Sequence, residues 1–251
     1  SYFVTGEFGG PWARGLPEPR YVAELEIRDM SARGLVRVVH LLDRALHERE
    51  VAGVVLRPRV KLPLAHAQEL RLMVDALMAA GKPVVCHLES ASAGEWYACA
   101  GAARTWIDPA GSVQLIGPSM EMMSLGALLE NAGVRADFVR IGDYKSAPEQ
   151  FTHEHMSAPA REQYDAFLDD VYTRFTADLA RDAEVSVAHV RGWVDSGPYV
   201  APEAVTGQLV DGALGAEDLR ESAREVLGTR SIRPGLRTYR DEDGPRQGIG
   251  I

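Results

Sequence analysis

The chain has 251 residues, with 27 Lys and Arg against 36 Asp and Glu, a formal net charge of −9 and 46% hydrophobic residues. Such a composition suits about one large globular domain or two small ones, and excludes disordered, collagen-like and coiled-coil classes. An acidic chain with a pI near 5.3 lacks the basic footprint of a nucleic-acid binder, so no nucleic-acid partner is expected. No stretch approaches the ~18 apolar residues of a membrane span and no signal peptide opens the chain, so any anchor is expected to lie outside it.

Residues 1–19 are rich in Gly and Pro and read as an irregular leading segment. YVAELEI (21–27) alternates with period two, as a half-buried strand does. Ser31 then N-caps a helix whose apolar residues Leu35, Val38, Val39, Leu42 and Leu46 recur at three and four. VAGVVL (51–56) is a continuous apolar run, and the following helix carries Leu70, Val74, Leu77 and Met78 on one face and closes at Gly81. KPVVCHL (82–88) reads as another buried strand and ASAGEWYACAGAA (91–103) as a small-residue helix. Apolar strands alternating with helices predict an α/β fold with a largely parallel, covered sheet.

A strand is predicted at RTWID (104–108), ended by Pro109 and followed closely by GSVQLIG (111–117), then a helix ending at Gly133 and a strand at VRADFVRIG (134–142). YKSAPEQFTHEHM has no clean period. Ser157 caps a long helix over 158–182, Ser186 caps a second, and a helix, a strand and a last helix carry the compact part to residue 228. Residues 229–251 turn polar and read as a linker leading into the apolar GIGI. Cys86 and Cys99 both sit in apolar runs, which favours buried free thiols over a single bridge.

Metal chemistry is poorly served. His153 and His155 flank Glu154, but side chains two apart on a helix do not face each other, and a solvated loop is the better reading. Phosphate-binding glycine loops and the G-x-S-x-G nucleophile elbow are absent. Lys145 stands out. It is one of very few lysines, it follows a predicted strand, and it sits among small residues and an aromatic in GDYKSA. A lysine shielded from water can act as general base for a serine, but on composition alone an exposed surface lysine is the better reading.

The order GKPVV, SAGEWYACAGAARTWIDPAGSVQLIG, GVRADFVRIGDYKSAPEQFTHEHMSAPARE and GQLVD resembles the signal peptide peptidase A family of bacterial serine peptidases. The likeness covers about residues 20–226, and G-D-Y-K-S-A-x-E-x-F is its most specific piece. It implies a Clp-protease/crotonase-like fold of repeated βα units with a C-terminal helical part, spanning 20–228. It also implies a Ser-Lys dyad with Lys145 as base, Asp143, Tyr144 and Ser146 as positioning residues, and no metal or organic cofactor.

The nucleophile departs from the family pattern. The family's S-G-G-Y-Y serine column falls on Ala93, followed by Gly94 and Glu95, ahead of the aromatics Trp96 and Tyr97. Ser90 and Ser92 lie close, Ser92 being the candidate nucleophile, but one residue on a helix turns a side chain by about 100°. The glycine-rich oxyanion turn after the second strand is replaced by LRPRVKLPLAH. A retained lysine without serine or glycines resembles the N-terminal half of the long family members, whose C-terminal half supplies the serine.

The resemblance therefore implies a lysine-donating peptidase domain for apolar peptides such as cleaved signal peptides. Its partner would be a second peptidase half or sister subunits, on the outer side of the bacterial inner membrane. This chain itself would be soluble, and membrane-associated only through an anchor it does not contain. Trp96, Tyr97, Met120, Met122 and Met123 would provide the interface. A non-catalytic oligomerisation domain and a crotonase-type acyl-CoA enzyme are the alternatives.

Overall fold

The computed structural model describes residues 21–228 and 232–234. It divides into two compact units, unit 1 comprising residues up to Ser112 together with those from Ala201 onward, and unit 2 comprising Val113–Val200.

Unit 1 alternates strands and helices as its apolar periodicity demands: β1 (Tyr21–Ile27), α1 (Ala32–His47), β2 (Val51–Pro58), α2 (Leu64–Ala79), β3 (Val84–Leu88), β4 (Ala91–Ser92), α3 (Ala93–Cys99) and β5 (Arg104–Ile107). Ser31 caps α1 as predicted, its hydroxyl accepting the Gly34 N–H at 3.2 Å. Unit 2 contributes most of β6 (Ser112–Gln114), then α4 (Gly126–Asn131), α5 (Glu149–Thr152), α6 (Ala158–Asp182), α7 (Val187–Ser196) and β7 (Tyr199–Val200). The chain returns to unit 1 through α8 (Ala201–Thr206), β8 (Gly212–Ala213), α9 (Leu219–Leu227) and β9 (Ile232–Pro234). The predicted caps Ser157 and Ser186 hold α6 and α7, each accepting the N–H three residues on.

Six strands form one sheet in the order β8-β5-β3-β2-β1-β9, and its neighbours pair in parallel. The α/β class with a mostly parallel sheet is thus as expected. On one face Val22, Val55 and Val85 pack against Leu219, Ala223 and Leu227 of α9. The alternate residues Val54, Leu56, Val84, Cys86 and Leu88 are buried as well, as a sheet covered on both sides requires. GIGI and the rest of the predicted linker lie outside the described residues, but Ile232–Pro234 is no linker: it adds β9 to the edge of β1.

Three local expectations are corrected. Cys86 and Cys99 are disulfide-bonded with their Cα atoms 6.0 Å apart, because β3 turns Cys86 away from α9 and toward the buried side of α3. Apolar flanks cannot distinguish a buried thiol from a buried disulfide. Residues 134–142 form no strand. Val134, Phe138, Val139 and Ile141 are exposed, since a period-two pattern makes a strand only where another strand can pair with it. Trp96 and Tyr97, expected at an interface, belong to the core of unit 1, each 2% exposed, while Met120 and Met123 are exposed and Met122 is half-buried. The Trp96 indole N–H donates to the Leu209 carbonyl at 2.6 Å, and the Arg71 guanidinium lies over the Tyr97 ring at 5.5 Å.

Further along the strands, beside the first turn of α9, the same sheet face turns polar. Glu24 receives Arg57 at 2.8 Å and Arg220 at 3.0 Å, and His87 is fully buried beside this row. Its Nε2–H donates to the Leu214 carbonyl at 2.9 Å, which leaves Nδ1 without a proton in the neutral ring. Burial pushes the His87 pKa down, the Leu214 hydrogen bond opposes this, and Arg57 and Arg59 add to the lowering. A lowered histidine pKa favours the fold above the unfolded value and costs stability as pH falls from about 6.5. We therefore expect the urea midpoint of the chain to drop between about pH 7 and pH 5, and that drop to shrink in His87→Gln. An identical pH profile in the variant would refute the assignment.

Candidate active site

The Lys145 site lies wholly in unit 2. Gly142 adopts φ +86°, a left-handed conformation that side chains disfavour, and starts a turn closed by the Lys145 N–H on the Gly142 carbonyl at 3.4 Å. The turn leads into α5, where the Glu149 N–H donates to the Ser146 carbonyl at 2.9 Å. Lys145 is exposed while Ser146 is buried, so the turn is anchored by its interior residue and presents the ammonium outward. No carboxylate of the described residues pairs with that ammonium.

Lys145 sits on a cavity of about 620 Å³ whose walls are Val139, Ile141, Tyr144, Ala147, Pro148 and Tyr164, with Arg140, Ser146 and Gln163 completing the lining. The geometry joins Lys145, Tyr144 and Ser146 on one cavity. Asp143 is exposed and does not line it. The Tyr144 hydroxyl donates to Glu162 at 3.0 Å, and this hydrogen bond, then the Glu162 charge, push its pKa up. The other two lysines differ in setting. Lys61 is exposed on the turn before α2, and Lys82 is buried, donating to the Ala45 carbonyl at 2.6 Å and the Glu48 carbonyl at 2.5 Å.

Sequence reasoning missed Glu149 and Arg140. Glu149 is completely buried. It accepts the Arg140 guanidinium at 3.1 Å, the Ser157 hydroxyl at 2.7 Å and the Ser157 N–H at 3.1 Å. Its place in G-D-Y-K-S-A-x-E-x-F was a visible signal.

The Ser92 region lies in unit 1 and stands by itself. Ser92 is the N-cap of α3, and Glu95 reaches back to it in a capping box. The Glu95 carboxylate accepts the Ser92 N–H at 2.8 Å, the Ser92 hydroxyl, and the Leu62 N–H at 3.0 Å. The Ser92 hydroxyl, next to Ala93 in the chain, is therefore engaged with a carboxylate. In the turn between β2 and α2 the Arg59 N–H is bound to the Ile27 carbonyl at 2.8 Å and the Leu62 N–H to Glu95, so neither is available to an oxyanion. Gly94 packs directly on this turn: a Cβ there would lie 2.0 Å from the Leu62 carbonyl oxygen.

Residues 76–230, which include both α3 and the Lys145 turn, match the sequence profile of peptidase family S49. The chain belongs to peptidase family S49. Within curated proteins it is 25% identical over 210 residues to Protease 4 of Salmonella typhi, covering 79% of this chain and 34% of that protein. It is 21% identical over 206 residues to the chloroplastic serine protease SPPA of Arabidopsis thaliana, covering 82% of this chain and 30% of that protein. The chain thus spans about a third of the length of these relatives. A solved structure of a ClpP1 N165D mutant from Listeria monocytogenes superposes with a TM-score of 0.49 at 9% identity, covering 79% of this chain and 92% of that one.

Of these relatives, the Arabidopsis thaliana protein is named a serine protease and the Salmonella typhi protein a protease. Among the described residues no helix is long and apolar enough to cross a membrane, and no three His, Cys, Asp or Glu side chains group as metal ligands.

Proposed function

We propose that this S49 chain is the lysine-donating part of a Ser-Lys peptidase, working on a serine carried by another domain or subunit. The observation that carries the reading is the setting of Lys145: an exposed ammonium with no carboxylate partner, on the rim of an apolar-walled cavity. It is joined by the absence of a competent hydroxyl at Ala93 and the engagement of Ser92 with Glu95.

Lysine acts as a base only where water is kept from its ammonium. The surface that brings the serine would also cover Lys145. The neutral amine then takes the serine proton as the serine oxygen attacks the peptide carbonyl carbon. The proton passes to the leaving amine as the C–N bond breaks. A water deprotonated by the same lysine hydrolyses the acyl-enzyme. The oxyanion donors arrive with the serine, because those of the β2–α2 turn named above are taken. Ser146 and Tyr144 hold the lysine turn, and Asp143 flanks it. The walls Val139, Ile141, Pro148 and Tyr164 suit apolar peptides, and cleaved signal peptides at the cell envelope fit that chemistry.

The test is an active-site phosphonate applied to the complete protein and to this chain alone. The label is expected on a serine outside residues 1–251, with the isolated chain unlabelled and inactive on an apolar peptide. Cleavage by the isolated chain that Ser92→Ala abolishes would transfer the nucleophile to Ser92. No labelling of the complete protein would favour a non-catalytic assembly domain.

A further inference from the structure

We infer that Glu149 is the positioning residue of Lys145, acting through Arg140, an inference that rests on Lys145 being the base. The Lys145 side chain has no tether of its own among the described residues, so the place of its ammonium is set by its main chain. The two halves of one ion pair hold that main chain. Arg140 donates to the Lys145 carbonyl at 3.5 Å and to Glu149 at 3.1 Å through the same nitrogen. The Glu149 N–H fixes the next carbonyl, that of Ser146, at 2.9 Å.

The other end of the pair is rooted in α6. Both the hydroxyl and the N–H of its N-cap Ser157 donate to the Glu149 carboxylate, at 2.7 and 3.1 Å, and α6 is 25 residues long. The lysine turn is thereby referenced to the longest helix of the unit. Burial pushes the Glu149 carboxyl up, but the Ser157 hydroxyl and N–H, then Arg140, more than reverse this, and its pKa is held below the usual carboxylate value. The carboxylate thus stays charged for Arg140 throughout the neutral range. The Phe138 and Phe151 rings stack at 6.0 Å across the same segment, a contact that does not involve the pair.

The experiment compares Glu149→Gln, Arg140→Gln, the double variant and Lys145→Ala in the complete protein with an apolar peptide substrate. Each single strap variant is expected to lower kcat about 10–100-fold with KM little changed, as loss of an orienting partner does. The double variant is expected to be no slower than the worse single one, because both act through one interaction. Glu149→Asp is expected to recover part of the loss. If Lys145→Ala abolishes turnover while Arg140→Gln, with its Tm unchanged, retains the wild-type kcat, the positioning role is overturned and the dyad stands. Additive losses in the double variant would overturn it too. If Lys145→Ala retains turnover, it is the dyad reading that fails. Arg140→Gln keeps Ser157 on the buried carboxylate, so it decides the matter even should Glu149→Gln not fold.

Discussion

Replacing Lys145 by alanine in the complete protein is expected to lower peptidase turnover by about 10²–10⁴-fold, the usual contribution of a positioned general base. Stability should barely move, since substitution of an exposed side chain with no partner typically costs within about 0.5 kcal/mol, and Lys145 is exposed. Lys145→Arg should be as inactive as the alanine variant: a guanidinium with a pKa above ~12 keeps its proton near neutral pH. The measurement is kcat for wild type and both variants alongside thermal melts. Retained activity in Lys145→Arg would show a fixed positive charge at work and would end the dyad assignment.

Glu95→Ala should destabilise the chain by about 3 kcal/mol. The side chain is 4% exposed and takes the Leu62 and Ser92 N–H groups together with the Ser92 hydroxyl. Each donor left buried without an acceptor costs about 1–3 kcal/mol, and a lost cap about 1. For a chain of this size about 2–4 °C of Tm accompanies each kcal/mol, so thermal unfolding reads the effect directly. An unchanged Tm would mean that water replaces the carboxylate, and the capping role would be withdrawn. The same contacts bear on activity: Ala93→Ser alone should leave the isolated chain inactive, because the Leu62 N–H remains bound to Glu95.

The site was half legible. The run around Lys145 drew attention to that lysine because small residues, an aromatic and a rare lysine coincide there, while its role as base came only from the family resemblance. Ala93 and the glycine-free turn after β2 were visible as departures from the family pattern. Glu149 was in plain view in the same run, yet nothing local shows that its carboxylate reaches Arg140, nine residues back, and Ser157, eight residues on. Glu95 was visible as a departure from S-G-G, but its role depends on Leu62, thirty-three residues away.

The sequence by itself determined the alternation of strands and helices, the caps at Ser31, Ser157 and Ser186, and the span of α6, because these follow from apolar periodicity and from hydrogen bonds within one turn. Only the tertiary structure decided which distant segments meet. It joined Cys86 to Cys99, drew Trp96 and Tyr97 into the core, left 134–142 without a strand and recruited Ile232–Pro234 to the edge of β1. Each outcome turns on whether a complementary surface arrives from elsewhere in the chain: a strand needs a partner to accept its hydrogen bonds, an aromatic needs a cavity of its shape, and a local pattern specifies neither.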